Sequence, residues 1–212
     1  WSFAVQSTQY PQRDSPMKIE LQFWLCLPIL PRGYEQVQVE YLSPQRLYQA
    51  YLAQPKLSCC CFQGGYGIVL SGQPWNAETY QGKIEYCLDE LWMTLSWLAG
   101  LKRILAGESQ VHIPYWEESQ AQIKRISASQ LEIVDRHASG QMLYPPFQVE
   151  LNDFYVQLCQ ATQSYLDFYS HFEAELMASN CSPSLRQQMA EELQFAEFQA
   201  ALAALQQTWQ TR

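Results

Sequence analysis

The chain has 212 residues, 48% hydrophobic and 16% charged, which is long enough to bury a core without disulfide or metal staples. Its 13 Lys and Arg against 21 Asp and Glu give a formal charge of −8, so there is no cationic stripe to displace counterions from nucleic acid or to grip anionic lipid. That balance favours solubility and leaves room for a basic partner.

Residues 1–16 are polar and aperiodic and read as a lead-in without a function; residues 17–212 read as one α+β domain. From Met17 to Leu27 the chain alternates. Met17, Ile19, Leu21, Phe23 and Leu25 face one way, and Lys18, Glu20, Gln22, Trp24 and Cys26 the other, which is a half-buried strand ended by Pro28 and Pro31. The apolar run Phe23 to Leu30 is too short to span a membrane. Glu20 and Gln22 beside it, and the lack of a small-x-small site after it, argue against a signal peptide. Tyr34 to Leu42 alternates again, predicting an antiparallel pair with the first strand.

Ser43-Pro44 is an N-cap followed by proline at the first helical position, and Leu47, Tyr48, Tyr51 and Leu52 form a short apolar stripe that Pro55 stops. Leu57 to Phe62 and Tyr66 to Leu70 flank Gln63-Gly64-Gly65, which predicts a tight β-hairpin. From Glu78 to Ala106 the spacing turns helical through Ile84, Leu88, Leu91, Leu95 and Leu98, with residues 84–105 as its centre. Acids lead it, Lys102 and Arg103 end it, and Gly107 supplies a C-terminal cap.

Val111 to Tyr115 is a short strand, and Gln122 to Ile126 and Leu131 to Val134 form a hairpin around Ser127–Gln130. His137 to Pro146 reads as a loop closed by two prolines, after which Phe147, Val149 and Leu151 alternate briefly. Asn152 caps a helix to about Ala178, with Phe154, Leu158, Ala161, Tyr165, Phe168, Phe172 and Leu176 on its stripe. Ser182-Pro183 opens a last helix through Leu185, Met189, Leu193, Phe198, Leu202, Leu205 and Trp209. Residues 152–212 thus form an antiparallel helical hairpin. The order predicts an α+β fold: a mainly antiparallel sheet, one long central helix, and the C-terminal hairpin.

Chemistry is sparse. Seven cysteines cannot all pair within the chain, and Cys59, Cys60 and Cys61 alternate in direction along a strand, so the thiols read as reduced and the compartment as cytoplasmic. No C-x-x-C pair suggests zinc, and no two of His112, His137 and His171 stand four residues apart. Glu85 and Asp89 would share a helical face, either as solvated charge or as half of a metal site whose other ligands are not identified. The expectation is no catalytic residue, no metal and no cofactor; an enzyme or small-ligand site would require Cys60, His112 or Glu85 to converge in a pocket.

Tyr115-Trp116-Glu117-Glu118 sets two aromatics beside two acids at a strand-to-hairpin junction, a pairing that suits either core closure or a protein interface. Trp116 is the predicted anchor and Glu117 and Glu118 its acids, with Asp89 and Glu90 next. Trp75, Trp92 and Trp97 read as packing residues, although Trp92 and Trp97 widen the apolar girth of their helix enough to suggest deep burial or a second contact surface.

Leu91-Trp92, Trp97, Leu101 and Leu105-Ala106-Gly107-Glu108, then Trp116-Glu117-Glu118, then Leu131-Glu132-Ile133 with Asp135, then Val149, Leu151 and Asp153-Phe154, resemble small acidic immunity-type proteins of bacterial toxin loci. The resemblance covers about residues 85–175. It implies a cytoplasmic, non-catalytic protein that occludes a toxin's active site, the partner being a basic toxin domain. The alternative is an adaptor or assembly chaperone that holds a partner helix on the C-terminal hairpin.

Overall fold

Ile19, Leu21, Phe23 and Leu25 bury their side chains while Glu20, Gln22 and Trp24 stay half-exposed, and this period of two makes the first strand, β1 (Ile19–Ile29). The computed structural model describes residues 17–29, 33–38, 63–80, 83–86, 89–114, 119–137, 139–178 and 182–212. The short helix expected after Ser43, the strand over 57–62 and the Cys59–Cys61 triplet lie outside them.

Antiparallel to β1 runs β2 (Gly33–Gln38) on one side and β3 (Gln63–Leu70) on the other. Gly64 and Gly65 are not a hairpin turn: they lie within β3, opposite Leu25 and Trp24. A Cβ on Gly64 would stand 2.6 Å from Leu91 Cδ2 and 3.0 Å from the Trp24 carbonyl, so that glycine serves close packing. The turn comes later, at Ser71-Gly72 with φ of 48° and 84°, and leads into β4 (Gln73–Pro74).

The predicted long helix begins later than its leucine spacing suggests. Residues before it form an antiparallel ribbon, β5 (Ala77–Tyr80) with β6 (Lys83–Tyr86), and a short strand β7 (Asp89–Glu90) on β3. Thr79, Tyr80, Ile84 and Tyr86 favour extended backbone, and that preference overrides the four-residue step from Ile84 to Leu88. Helix α1 is Leu91–Leu105. It ends on a Schellman arrangement, with Gly107 N–H donating to Ile104 O and Glu108 N–H to Arg103 O, and Gly107 at φ 109°.

The second sheet has the order β11-β10-β9-β8, all antiparallel, from β8 (Gln110–Pro114), β9 (Ser119–Arg125), β10 (Gln130–His137) and β11 (Met142–Glu150). The loop expected over His137–Pro146 is therefore mostly strand. Pro145 and Pro146 sit in an edge strand, where the register shifts between Ile133 and Asp135, and a proline without an amide is tolerated there.

Helix α2 (Leu151–Ala178) takes in Asn152, so that residue is not its cap. Pro183 opens α3 (Pro183–Glu192) as expected. The last helix is not continuous: Gln194 adopts φ 50°, and α4 (Phe195–Gln210) starts afresh after it. Tyr155 stacks on Trp209 and Tyr169 on Phe195, each with ring centroids 4.1 Å apart, which makes α2 and α4 antiparallel. The fold is α+β, with antiparallel sheets, a long helix and C-terminal helices.

One hydrophobic cluster joins these parts. Phe23 stacks on Tyr165 of α2 (4.3 Å) and meets Phe198 of α4 edge-on (5.5 Å). Helix α1 packs against β8 and β9 and also against β3 and α4. Gly100 allows the closest approach to the second sheet, since a Cβ there would be 3.3 Å from Ile113.

Candidate functional site

The corner where β7 becomes α1 is built from Gly64 outward. Leu91 is buried against the space its missing side chain leaves, and Thr94 Oγ1 donates to the Gly64 carbonyl at 2.7 Å. With Leu91 and Thr94 held inward, the residue between them on the first turn, Trp92, is turned out and is 47% exposed. Its indole N–H donates to Oε2 of Glu90. Glu90 sits at the N-cap position with φ −60° and ψ 141°, yet its carboxylate makes no cap to the helix amides. It is a half-buried acid at the positive end of a helix, fixed at the edge of an exposed aromatic ring.

Such a pair suits a cationic side chain. The ring face attracts an ammonium or guanidinium, and a carboxylate at its edge adds a charge-assisted hydrogen bond. Trp97, one turn and a half further on, is 4% exposed and lies 6.1 Å from Phe154, so it packs as expected. Trp75 is buried too, its indole donating to Pro145 O at 2.7 Å and thereby tying the two sheets together. Reading Trp92 as a packing residue is thus corrected: of the two α1 tryptophans, only Trp97 enters the core. Helical spacing held the signal, because Trp92 stands about 100° round from Leu91 and in line with Ser96 and Ala99, away from Leu98 and Leu101.

Trp116, Glu117 and Glu118 fall in sequence between β8 and β9 and lie outside the described residues. Asp89 occupies the β7 position opposite Gly64, next to Glu90. Glu85 is on β6, opposite Glu78, so Glu85 and Asp89 do not share a helix face. His112 points to the solvent side of the second sheet, 3.1 Å from the Gln110 amide, while Val111 and Ile113 point inward. His171 is exposed on α2. Cys159 is a free, partly buried thiol, and burial pushes its pKa up. Among the described residues no three His, Cys, Asp or Glu side chains are grouped to hold a metal ion, and no helix is long and apolar enough to cross a membrane.

The acidity itself is unevenly placed. Between Leu151 and Gln210 there are seven carboxylates (Asp153, Asp167, Glu173, Glu175, Glu191, Glu192 and Glu197) and one cation, Arg186, a balance of −6 out of the chain's −8. The helices carry most of the charge that the whole-chain figure reports.

No family, no curated protein and no solved structure matches this chain.

Proposed function

We propose that the chain is a non-catalytic protein-binding module of the immunity or inhibitor kind, working in the cytoplasm by covering a basic partner such as a toxin domain. The reading rests on the Glu90–Trp92 pair: a half-exposed indole held on a carboxylate by a clamped backbone. An aromatic anchor that is already oriented loses little freedom on docking, and an acid at its edge selects a cation. The net charge of −8 would speed encounter with a basic partner. Asp89, next to Glu90 on β7, and Trp116, Glu117 and Glu118 are further candidates for partner contact from their sequence chemistry alone.

Calorimetry with the products of neighbouring genes at low salt tests this. A complex is expected whose association slows as salt rises, and Trp92→Ala should weaken it by about 30-fold or more, the scale of an interface anchor. Absence of any complex, or a complex indifferent to Trp92→Ala and to charge reversal at Glu90, defeats the proposal.

A further inference from the structure

Helices α2 and α4 do not close along their whole length. Between them lies an open groove of about 220 Å³. On α2 it is lined by Gln163, Leu166, Asp167 and Ser170, which are spaced by three, four and seven residues and so form one face over two turns. On α4 it is lined by Phe195, Gln199, Leu202 and Gln206, again one face, running for about 16 Å at 1.5 Å per residue. The groove therefore runs along the helices. Leu166, Leu202 and Phe195 make an apolar floor, and the amides and Asp167 make a polar rim.

We propose that this groove is a docking site for a short basic, amphipathic segment of a partner protein, distinct from the Glu90–Trp92 corner. The volume is below the roughly 300–1,000 Å³ typical of small-molecule pockets, and it fits one or two inserted apolar side chains. Charge selects the rest of the occupant. The two helices that form the groove carry five carboxylates and no Lys or Arg. Asp167 on the rim is exposed, with one oxygen accepting from Gln163 Nε2 at 2.9 Å. Exposed Glu173 continues the α2 row past Ser170, beside Tyr169, whose ring stacks on Phe195 at the groove's end. Neither Asp167 nor Glu173 takes part in an ion pair among the described residues, unlike Glu20 with Lys18 and Glu108 with Arg103. A second copy of the chain is a poor occupant, since it would bring helices of the same sign together. A helix with a leucine face and lysine flanks answers both the floor and the rim.

The test uses the whole chain, labelled with ¹⁵N, and two synthetic helical peptides, one of Leu and Lys and one of Leu and Glu in the same pattern. The Lys peptide is expected to shift amides in 163–170 and 195–206 at up to about 1 mM, a weak binding regime, and the Glu peptide is not. Ala203→Phe, at an exposed lining position, fills the groove without a change of charge and should reduce affinity at least tenfold at every salt concentration. Asp167→Asn should weaken binding at low salt and much less at high salt. Trp92→Ala should leave it unchanged, which separates this site from the corner. The proposal is overturned if the Lys peptide shifts none of these amides or mainly others, if binding survives Ala203→Phe in a chain with an unchanged melting profile, or if the same amides shift when the chain alone is concentrated.

Discussion

Two sets of aromatic rings in this molecule are used in opposite ways. In the seam where β1 meets α2 and α4, Phe23, Tyr66, Tyr165 and Phe198 pack on one another and are at most 4% exposed. Their polar atoms are spent internally: Tyr165 donates to Leu193 O at 2.7 Å, and Tyr66 shares a 2.8 Å bond with Thr162. At the β7–α1 corner, Trp92 spends its N–H on Glu90 and leaves its ring open. The same residue class thus serves cohesion where every edge is enclosed and, under the proposed function, recognition where one face is left open. What differs is the neighbour supplied by the backbone: a strand and two helices in the seam, one glycine and a buried leucine at the corner.

The comparison can be broken most forcefully at Phe198. Phe198→Ala empties the centre of the seam and should cost about 3–5 kcal/mol of unfolding free energy in urea titrations. A loss below about 1 kcal/mol would mean the seam is not the cohesive region. Gly64→Ala comes next. Its new methyl meets Leu91 and the Trp24 carbonyl, so a loss of about 1–3 kcal/mol is expected, together with a blue-shifted or broadened emission as Trp92 is displaced.

Alkaline titration probes the seam and the neighbouring α2–α4 stacks without mutation. Burial raises the tyrosine pKa values, to about 12 for Tyr155 and Tyr169 and well above the usual 10.0 for Tyr165. Each phenol keeps its proton in the folded chain at pH values where the unfolded chain has lost it. For Tyr155 and Tyr169 that contribution is therefore complete below pH 10 and is lost as pH rises through 12; for Tyr165 it is likewise complete below pH 10 and is lost only once its own raised pKa is passed. Urea midpoints should stay flat up to the unfolded tyrosine range and then fall; Tyr165→Phe should start lower by about 1 kcal/mol and fall less steeply. The smallest effect on stability belongs to the corner, where Trp92→Ala should cost no more than about 0.5 kcal/mol while weakening the proposed partner complex by about 30-fold or more. A large loss of stability there would make Trp92 a structural residue after all.

Much of the fold was legible where one period acted alone. The alternation from Ile19 to Leu25, the Ser127–Gln130 turn and the Ser182-Pro183 helix start all stand where the residues put them. Misreadings came where a local signal had two physical sources. Glycine at 64 signals close approach as readily as a turn, and only the third dimension supplies Leu91. Leucine-like spacing from Ile84 onward imitates a helix because the ribbon and α1 are contiguous in sequence. The break at Gln194 carries no Gly or Pro to mark it; Tyr165 and Tyr169 hold its two sides from α2. For the site, an acid and an aromatic were expected side by side, and Glu90 was among them, but its partner in the described residues is Trp92, which hydrophobicity alone assigns to the interior.

Asn76 closes a different question. Its amide accepts from Ile68 N–H at 2.7 Å and donates to Tyr66 O at 2.8 Å, while Trp75 N–H donates to Ile68 O, all along the stretch of β3 that neither β4 nor β7 reaches. A carboxamide here imitates the backbone of a missing neighbour. Strand borders left bare invite other chains to stack on them, so this one side chain works as a seal against fibre-like association. At this border the Ile68 amide and carbonyl and the Tyr66 carbonyl are engaged within the chain and are not on offer to another strand.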